Sequence, residues 1–173
     1  FVSDDIWFLQ CGNSVRAING VLEKKRKSKR SILASGASNG QTIVGATQTG
    51  THGAAFNVGS VHDAIVGLHI VTGPDRHVYI ERKSDRIVHP QFVKALKVSE
   101  HIVDDDIFNA AVVGLGAFGI IHGVMLRTEP IFLLEKYISQ TSLTKSVKQG
   151  FDTLDFSKFA LRNPKHSKGQ LYH

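Results

Sequence analysis

The sequence predicts a mixed α+β fold. Strand-like and helix-like stretches alternate without an internal repeat, and a five-residue turn signal joins two strands into an antiparallel hairpin. An apolar content of 42% in 173 residues suffices for one core, and a chain of this size buries roughly 70% of its extended surface on folding.

Residues 6–10 (IWFLQ) read as a strand feeding a helix over 14–27. Its apolar residues Val15, Ile18, Val21 and Leu22 fall at helical spacing, with Asn13 or Ser14 able to cap it. The basic run KKRKSKR at 24–30 then lies in the last turn, where cations complement the helix dipole. Residues 30–34 suit a short strand. From Gly36 to Gly59 the chain carries glycines at 40, 45, 50 and 53 among mostly Ala, Ser, Thr, Asn and Gln. Such a stretch cannot build a core of its own, and its backbone is free to lie close to something large.

Segments 63–71 and 77–81 are strand-like, and TGPDR between them supplies the hairpin turn. A polar segment over 84–101 follows, with a short helix expected at 90–96. Asp104, Asp105 and Asp106 offer a cap and first-turn carboxylates to a helix with the stripe Ile107, Phe108, Ala111, Val112 and Leu115. Residues 120–128 alternate as a strand, Pro130 interrupts it, and 131–139 resume extended structure. Leu143, Val147, Phe151 and Leu154 form a last helical stripe, and 169–173 read as a strand just begun.

The net charge of +6 suits a polyanionic partner, and residues 24–30 are the place for one. The helix-end reading accounts for the same residues without nucleic acid. A single cysteine, Cys11, excludes an internal disulfide framework and favours a reducing compartment, so the cytoplasm is the expected location. No apolar run approaches the roughly 20 residues of a membrane span. The first residues, FVSDD, match neither an initiator methionine nor a signal peptide, and the chain reads as part of something longer.

Two glycine patterns resemble phosphate motifs. Gly114, Gly116 and Gly119 satisfy G-x-G-x-x-G, but the Asp-capped helix precedes them where a dinucleotide fold needs a strand. Too few residues lie between Gly119 and Pro130 for a crossover helix. These glycines are better suited to ending a helix and reversing the chain. Gly45 and Gly50 have the spacing of a P-loop, yet Thr51 and His52 stand where Lys and Ser or Thr are required. What remains is either a backbone-lined surface with hydroxyls and one imidazole, fit for a flat polar-edged ligand, or a small-residue helix packed tightly on a sheet.

Three ordered motifs carry a family resemblance. GQTIVGATQTGTHG at 40–53, DAIVGLHIVTG at 63–73 and DIFNAAVVGLGAFGIIHGVML at 106–126, before Glu129 and Pro130, are similar to the FAD-linked oxidases of the vanillyl-alcohol oxidase and p-cresol methylhydroxylase family. The TGTHG version most resembles the sugar-lactone and alditol oxidase branch. The resemblance implies that residues 1–130 are the second α+β subdomain of an FAD-binding domain, with a mixed or antiparallel sheet flanked by helices, and that 131–173 begin a substrate domain.

It further implies that Thr42, Gly45, Ala46, Gln48, Thr49, Gly50, Thr51, His52 and Gly53 run along the pyrophosphate, ribityl chain and isoalloxazine of FAD. Gly119 and Ile121 would bring backbone amides to the adenine end. Gln48 stands where the family often has Ser. The implied activity is hydride transfer from a small alcohol- or lactone-type substrate to flavin N5, with electrons passed to oxygen or another acceptor. The family's acid–base residues lie in its substrate domain, so no catalytic residue is assigned in this chain.

The other histidines show no close metal-ligand pair, and strand alternation is expected to scatter His62, His69 and His77 over both sheet faces, so no metal is expected. Phe118, between two glycines, is expected to plug the core. A flavin-binding fragment without turnover, and a nucleic-acid module built on residues 24–30, are the competing readings.

Overall fold

The computed structural model describes residues 5–24, 28–55, 58–134, 140 and 142–155. It divides into two units, one ending at Ile131 and a second beginning at Phe132. In the first unit, strands β1 (Ile6–Gln10), β3 (Ile65–Gly73), β4 (Arg76–Glu81), β5 (Glu100–Val103) and β6 (Ile120–Arg127) form one sheet in the order β1-β6-β3-β4-β5. All neighbours are antiparallel except β4 and β5. A parallel pair needs a crossover, and residues 82–99, carrying helix α3 (Pro90–Leu96), supply it. The strand β5 was not expected from the sequence, because two of its four residues, Glu100 and His101, end the polar segment.

Helices α1 (Val15–Glu23), α2 (Ile43–Gln48) and α4 (Asp105–Val112) cover one face of this sheet. Each starts at a side-chain cap: Ser14 accepts from Ala17 N, Thr42 from Gly45 N, and Asp104 from Ile107 N. Caps of this kind contribute about 1 kcal/mol each. Val15, Ile18, Leu22, Ile43, Ala46, Phe108, Ala111 and Val112 pack on Leu68, Ile70, Val78, Ile80, Val124 and Leu126. The other face carries Val66, Tyr79 and Met125 beneath Val88 and the Phe92, Val93 and Leu96 side chains of α3. Residues 78, 80, 124 and 126 point one way, and 79 and 125 the other, as the strand period of two requires.

Several expected boundaries moved. Helix α1 stops at Glu23 with Lys24 as its C-cap, so the basic run lies beyond the last turn, and residues 25–27 fall outside the described region. Arg30 belongs to a two-residue strand β2 (Arg30–Ser31), where it is buried, paired with Asp5 at 2.7 Å and bonded to Thr128. It pairs with β7 (Glu129–Pro130), so Pro130 does not interrupt a strand but occupies a short edge, where its missing N–H does no harm. Leu115, expected on the stripe of α4, lies past its end at φ 51° and is 76% exposed. Residues 131–134 form no strand, and 135–139 and 169–173 lie outside the described residues.

The second unit contains helix α5 (Lys145–Thr153), capped by Thr144 and carrying Val147 and Phe151 of the expected stripe. Leu143 precedes that cap and Leu154 follows the helix. Lys148 and Asp152 pair across one turn at 2.9 Å.

Candidate functional site

The small-residue stretch forms α2 and the loop that follows it. Along α2 the exposed positions are Thr42, Gly45 and Thr49, spaced three and four apart, whereas Ile43, Ala46, Thr47 and Gln48 are buried. The exposed line continues through the half-buried Gly50 and Thr51 into exposed His52 and Gly53. The result is a ribbon with three glycines, no bulky apolar side chain, and hydroxyls at Thr49 and Thr51 that lie 3.5 Å apart. Thr49 donates to Gly45 O, and Thr51 N–H donates back to Ala46 O at 2.9 Å, which folds the loop onto the helix. Gly50 requires glycine's freedom, with φ of 65°. His52 is exposed and its Nδ1 lies 3.0 Å from Gly53 O.

The Gly36 loop closes one side of the ribbon. A Cβ on Gly36, at φ 71°, would lie 2.8 Å from Thr51 Cγ2. On the other side lies the turn after α4, where Leu115, Gly116 and Gly119 all have positive φ. The glycines here end a helix and reverse the chain into β6, as expected. Phe118, however, is 42% exposed and lies over Gly114 instead of filling the core. Five residues separate Gly114 from the strand, and this return keeps Phe118 at the surface.

The expected site residues therefore separate into groups. Thr42, Gly45, Thr49, Gly50, Thr51, His52 and Gly53 share the ribbon. Ala46 and Ile121 both place their side chains in the core beneath it, leaving only their backbones for a ligand. Gly119 lies against the end of β3, where a Cβ would overlap the Val71 carbonyl oxygen, so its glycine is required by the sheet whatever binds nearby. Gln48 is the residue whose placement differs most from the expectation. Its side chain does not reach outward: both amide hydrogens go to Ala111 O and Val112 O, at 2.9 and 3.0 Å, and Oε1 accepts from Gly116 N.

A second polar cluster was missed. His69 Nε2 lies 2.8 Å from His77 Nδ1, and His69 Nδ1 lies 3.2 Å from His122 Nδ1. Facing residues of an antiparallel pair share a face, and the register His69↔Tyr79 puts His77, two residues from Tyr79, on the same face as His69. A register shift between His69 and Ile70 rotates His122 onto it as well. Alternation counted along one strand could not reveal this. Burial first, then His122 and His77, hold the His69 pKa below its ordinary value. Each nitrogen of His69 faces a different imidazole, and among the described residues no three His, Cys, Asp or Glu side chains converge as a metal site.

With this geometry in place, similarity to known proteins becomes informative. The chain is 29% identical over 124 residues to D-arabinono-1,4-lactone oxidase of Candida glabrata, covering 72% of this chain and 19% of that protein. It is 29% identical over 138 residues to L-gulono-1,4-lactone dehydrogenase of Mycobacterium tuberculosis, covering 80% of this chain and 26% of that one. The chain is similar to lactone oxidases and lactone dehydrogenases. It spans about a fifth to a quarter of the length of the curated relatives it matches. No family model matches it.

The fold is shared with a solved structure of a histidine-to-alanine mutant of cholesterol oxidase from Brevibacterium sterolicum. The TM-score is 0.54 at 17% identity, over 75% of this chain and 22% of that one. The family resemblance in the motifs is thus borne out, as is the mixed α+β architecture with a mostly antiparallel sheet. Among the described residues no helix is long and apolar enough to cross a membrane.

Proposed function

We propose that this chain forms one half of the FAD cleft of an oxidoreductase acting on an alcohol- or lactone-type substrate. In this reading residues 1–130 are the second subdomain of the FAD-binding domain and 131–173 open the substrate domain. The observation that carries it is the exposed ribbon of α2 and its loop, a backbone surface with hydroxyls and no bulky apolar side chain, set beside a glycine turn. The residues fit the group. Gly45, Gly50 and Gly53 allow a flat ring and a phosphate chain to approach the backbone, Thr49 and Thr51 offer oxygens to its polar edges, and His52 stands exposed at the far end. Ala46 and Ile121 contribute through their backbones.

When bound, FAD would accept a hydride at N5 and pass the electrons to oxygen or another acceptor. The chain's own part is to hold the ring against the small-residue ribbon. Relatives that act on D-arabinono- and L-gulono-1,4-lactone support a small polyhydroxylated lactone as substrate. The nucleic-acid reading loses one of its basic residues, because Arg30 is buried in the Asp5–Thr128 contact.

The test is the absorption spectrum of the full-length protein that carries this chain, followed by anaerobic titration with a panel of aldonolactones and alditols. A flavin spectrum bleached by a lactone is expected. Absence of flavin absorbance from protein expressed with ample riboflavin would overturn the proposal.

A further inference from the structure

Gln48 sits in the middle of the ribbon's sequence, yet its amide is used up inside the protein. A primary amide has two donors and a carbonyl oxygen. Here one N–H donates to Ala111 O, the other to Val112 O, and Oε1 accepts from Gly116 N at 3.1 Å. The Gln48 backbone carbonyl adds a fourth bond, accepting from Leu115 N at 3.3 Å. The residue is 9% exposed.

These partners have something in common. The carbonyls of Ala111 and Val112 belong to the last turn of α4, which leaves its final carbonyls without intrahelical donors. Leu115 and Gly116 are consecutive residues at positive φ, 51° and 80°, where the turn begins. One glutamine therefore caps the end of α4 and holds the first two positive-φ residues of the turn that follows. Leucine rarely adopts this conformation, and Gln48 provides the bonds that fix it.

We infer that Gln48 is a positioning residue that sets the separation between the α2 ribbon and the turn from Gly114 to Gly119. It does so by bonding to the turn, and its side chain makes no contact with the cofactor. The inference rests on the proposed FAD cleft, for which these are two parts of one surface. A serine here is too short to span to α4, so the amide's length is what the bracing requires. The consequence is that substitutions at Gln48 act on the cleft by loosening the turn.

The experiment uses the full-length protein with Gln48→Met, which keeps the length and the backbone carbonyl but removes the three side-chain hydrogen bonds, and the double variant Gln48→Met/Leu115→Gly. Glycine adopts positive φ without strain, so it restores the turn without restoring any side-chain bond. Hydrogen exchange at the Leu115 and Gly116 amides should quicken by about tenfold or more in Gln48→Met. Retained flavin should fall with it and recover in the double variant. Unchanged exchange at those amides would overturn the inference. So would a flavin loss that Leu115→Gly does not recover, because a residue touching the cofactor cannot be replaced from the turn. Protein without flavin in the unsubstituted form would overturn the FAD reading instead, and the exchange comparison would still decide whether Gln48 braces the turn.

Discussion

Replacing Gly50 by alanine separates the two reasons a glycine can be required. Its φ of 65° is a conformation that costs an L-residue about 1–2 kcal/mol. Part of that is returned, because alanine restricts the unfolded chain by roughly 0.4–1 kcal/mol. The new methyl meets only Val113 Cγ1, at an ordinary 3.5 Å, so the protein has room for it. The net loss should be about 1 kcal/mol, the difference of those two ranges. If the ribbon is a cofactor wall, the methyl also stands between the backbone and the ring, and flavin retention should drop by at least about tenfold, equivalent to about 1.4 kcal/mol. Urea unfolding followed by circular dichroism measures the first quantity, and the flavin-to-protein absorbance ratio after gel filtration of the full-length protein measures the second. Gly20→Ala is the control: it lies in α1 with nothing within 4 Å of its Cβ, and should stabilise by up to about 1 kcal/mol without altering flavin content. Full flavin retention in Gly50→Ala would refute the wall. A stability loss above roughly 3 kcal/mol would show instead that the fold, and no ligand, demands the glycine.

Three further outcomes follow from the opposite face of the sheet. Glu81 is fully buried and accepts from Ile87 N, Val88 N and His101 Nε2, so Glu81→Ala should cost about 3 kcal/mol by chemical denaturation, and Glu81→Gln less, since one amide oxygen remains. A Cβ on Gly67 would overlap the Tyr79 hydroxyl, which is buried without a hydrogen-bond partner. Tyr79→Phe should therefore raise stability by about 1 kcal/mol, and the cost of Gly67→Ala should be smaller in that background, as a double-mutant cycle on urea midpoints will show. The His69 pKa is depressed below 6.5, so the stability it contributes is complete above about pH 6.5 and is lost as pH falls through the lower folded value. Its neighbours His77 and His122 face it from β4 and β6. His69→Gln, which keeps hydrogen-bonding atoms without a titrating group, should flatten the fall in urea midpoint between about pH 7.5 and pH 5.5; an unaltered slope would remove His69 as its source.

Much of this was legible in local chemistry. Ser14, Asp104 and the TGPDR turn marked their elements because caps and turns depend on residues within one helical turn of each other. The missing P-loop lysine and the misplaced G-x-G-x-x-G excluded two ligands for the same reason: each motif fixes both residue type and neighbouring element. The exposed ribbon of Thr42, Gly45, Thr49, Gly50, Thr51, His52 and Gly53 could be foreseen as a small-residue surface. What the sequence left open was whether it faced outward or packed on a sheet, since composition carries no direction.

Direction is what the tertiary structure decided. Gln48 reads as one more polar residue of the ribbon, and only its distance to Ala111, Val112 and Gly116 turns it into a brace. Arg30 reads as the end of a basic run, and only the approach of Asp5 and Thr128 makes it structural. His69, His77 and His122 meet because cross-strand register and one shift in it place them on a common face. The sequence by itself determined most of the elements, several of their caps and the family likeness, which depend on neighbours along the chain. The partners of buried polar groups depend on which strands and helices lie side by side, and that was settled only when the sheet closed its core.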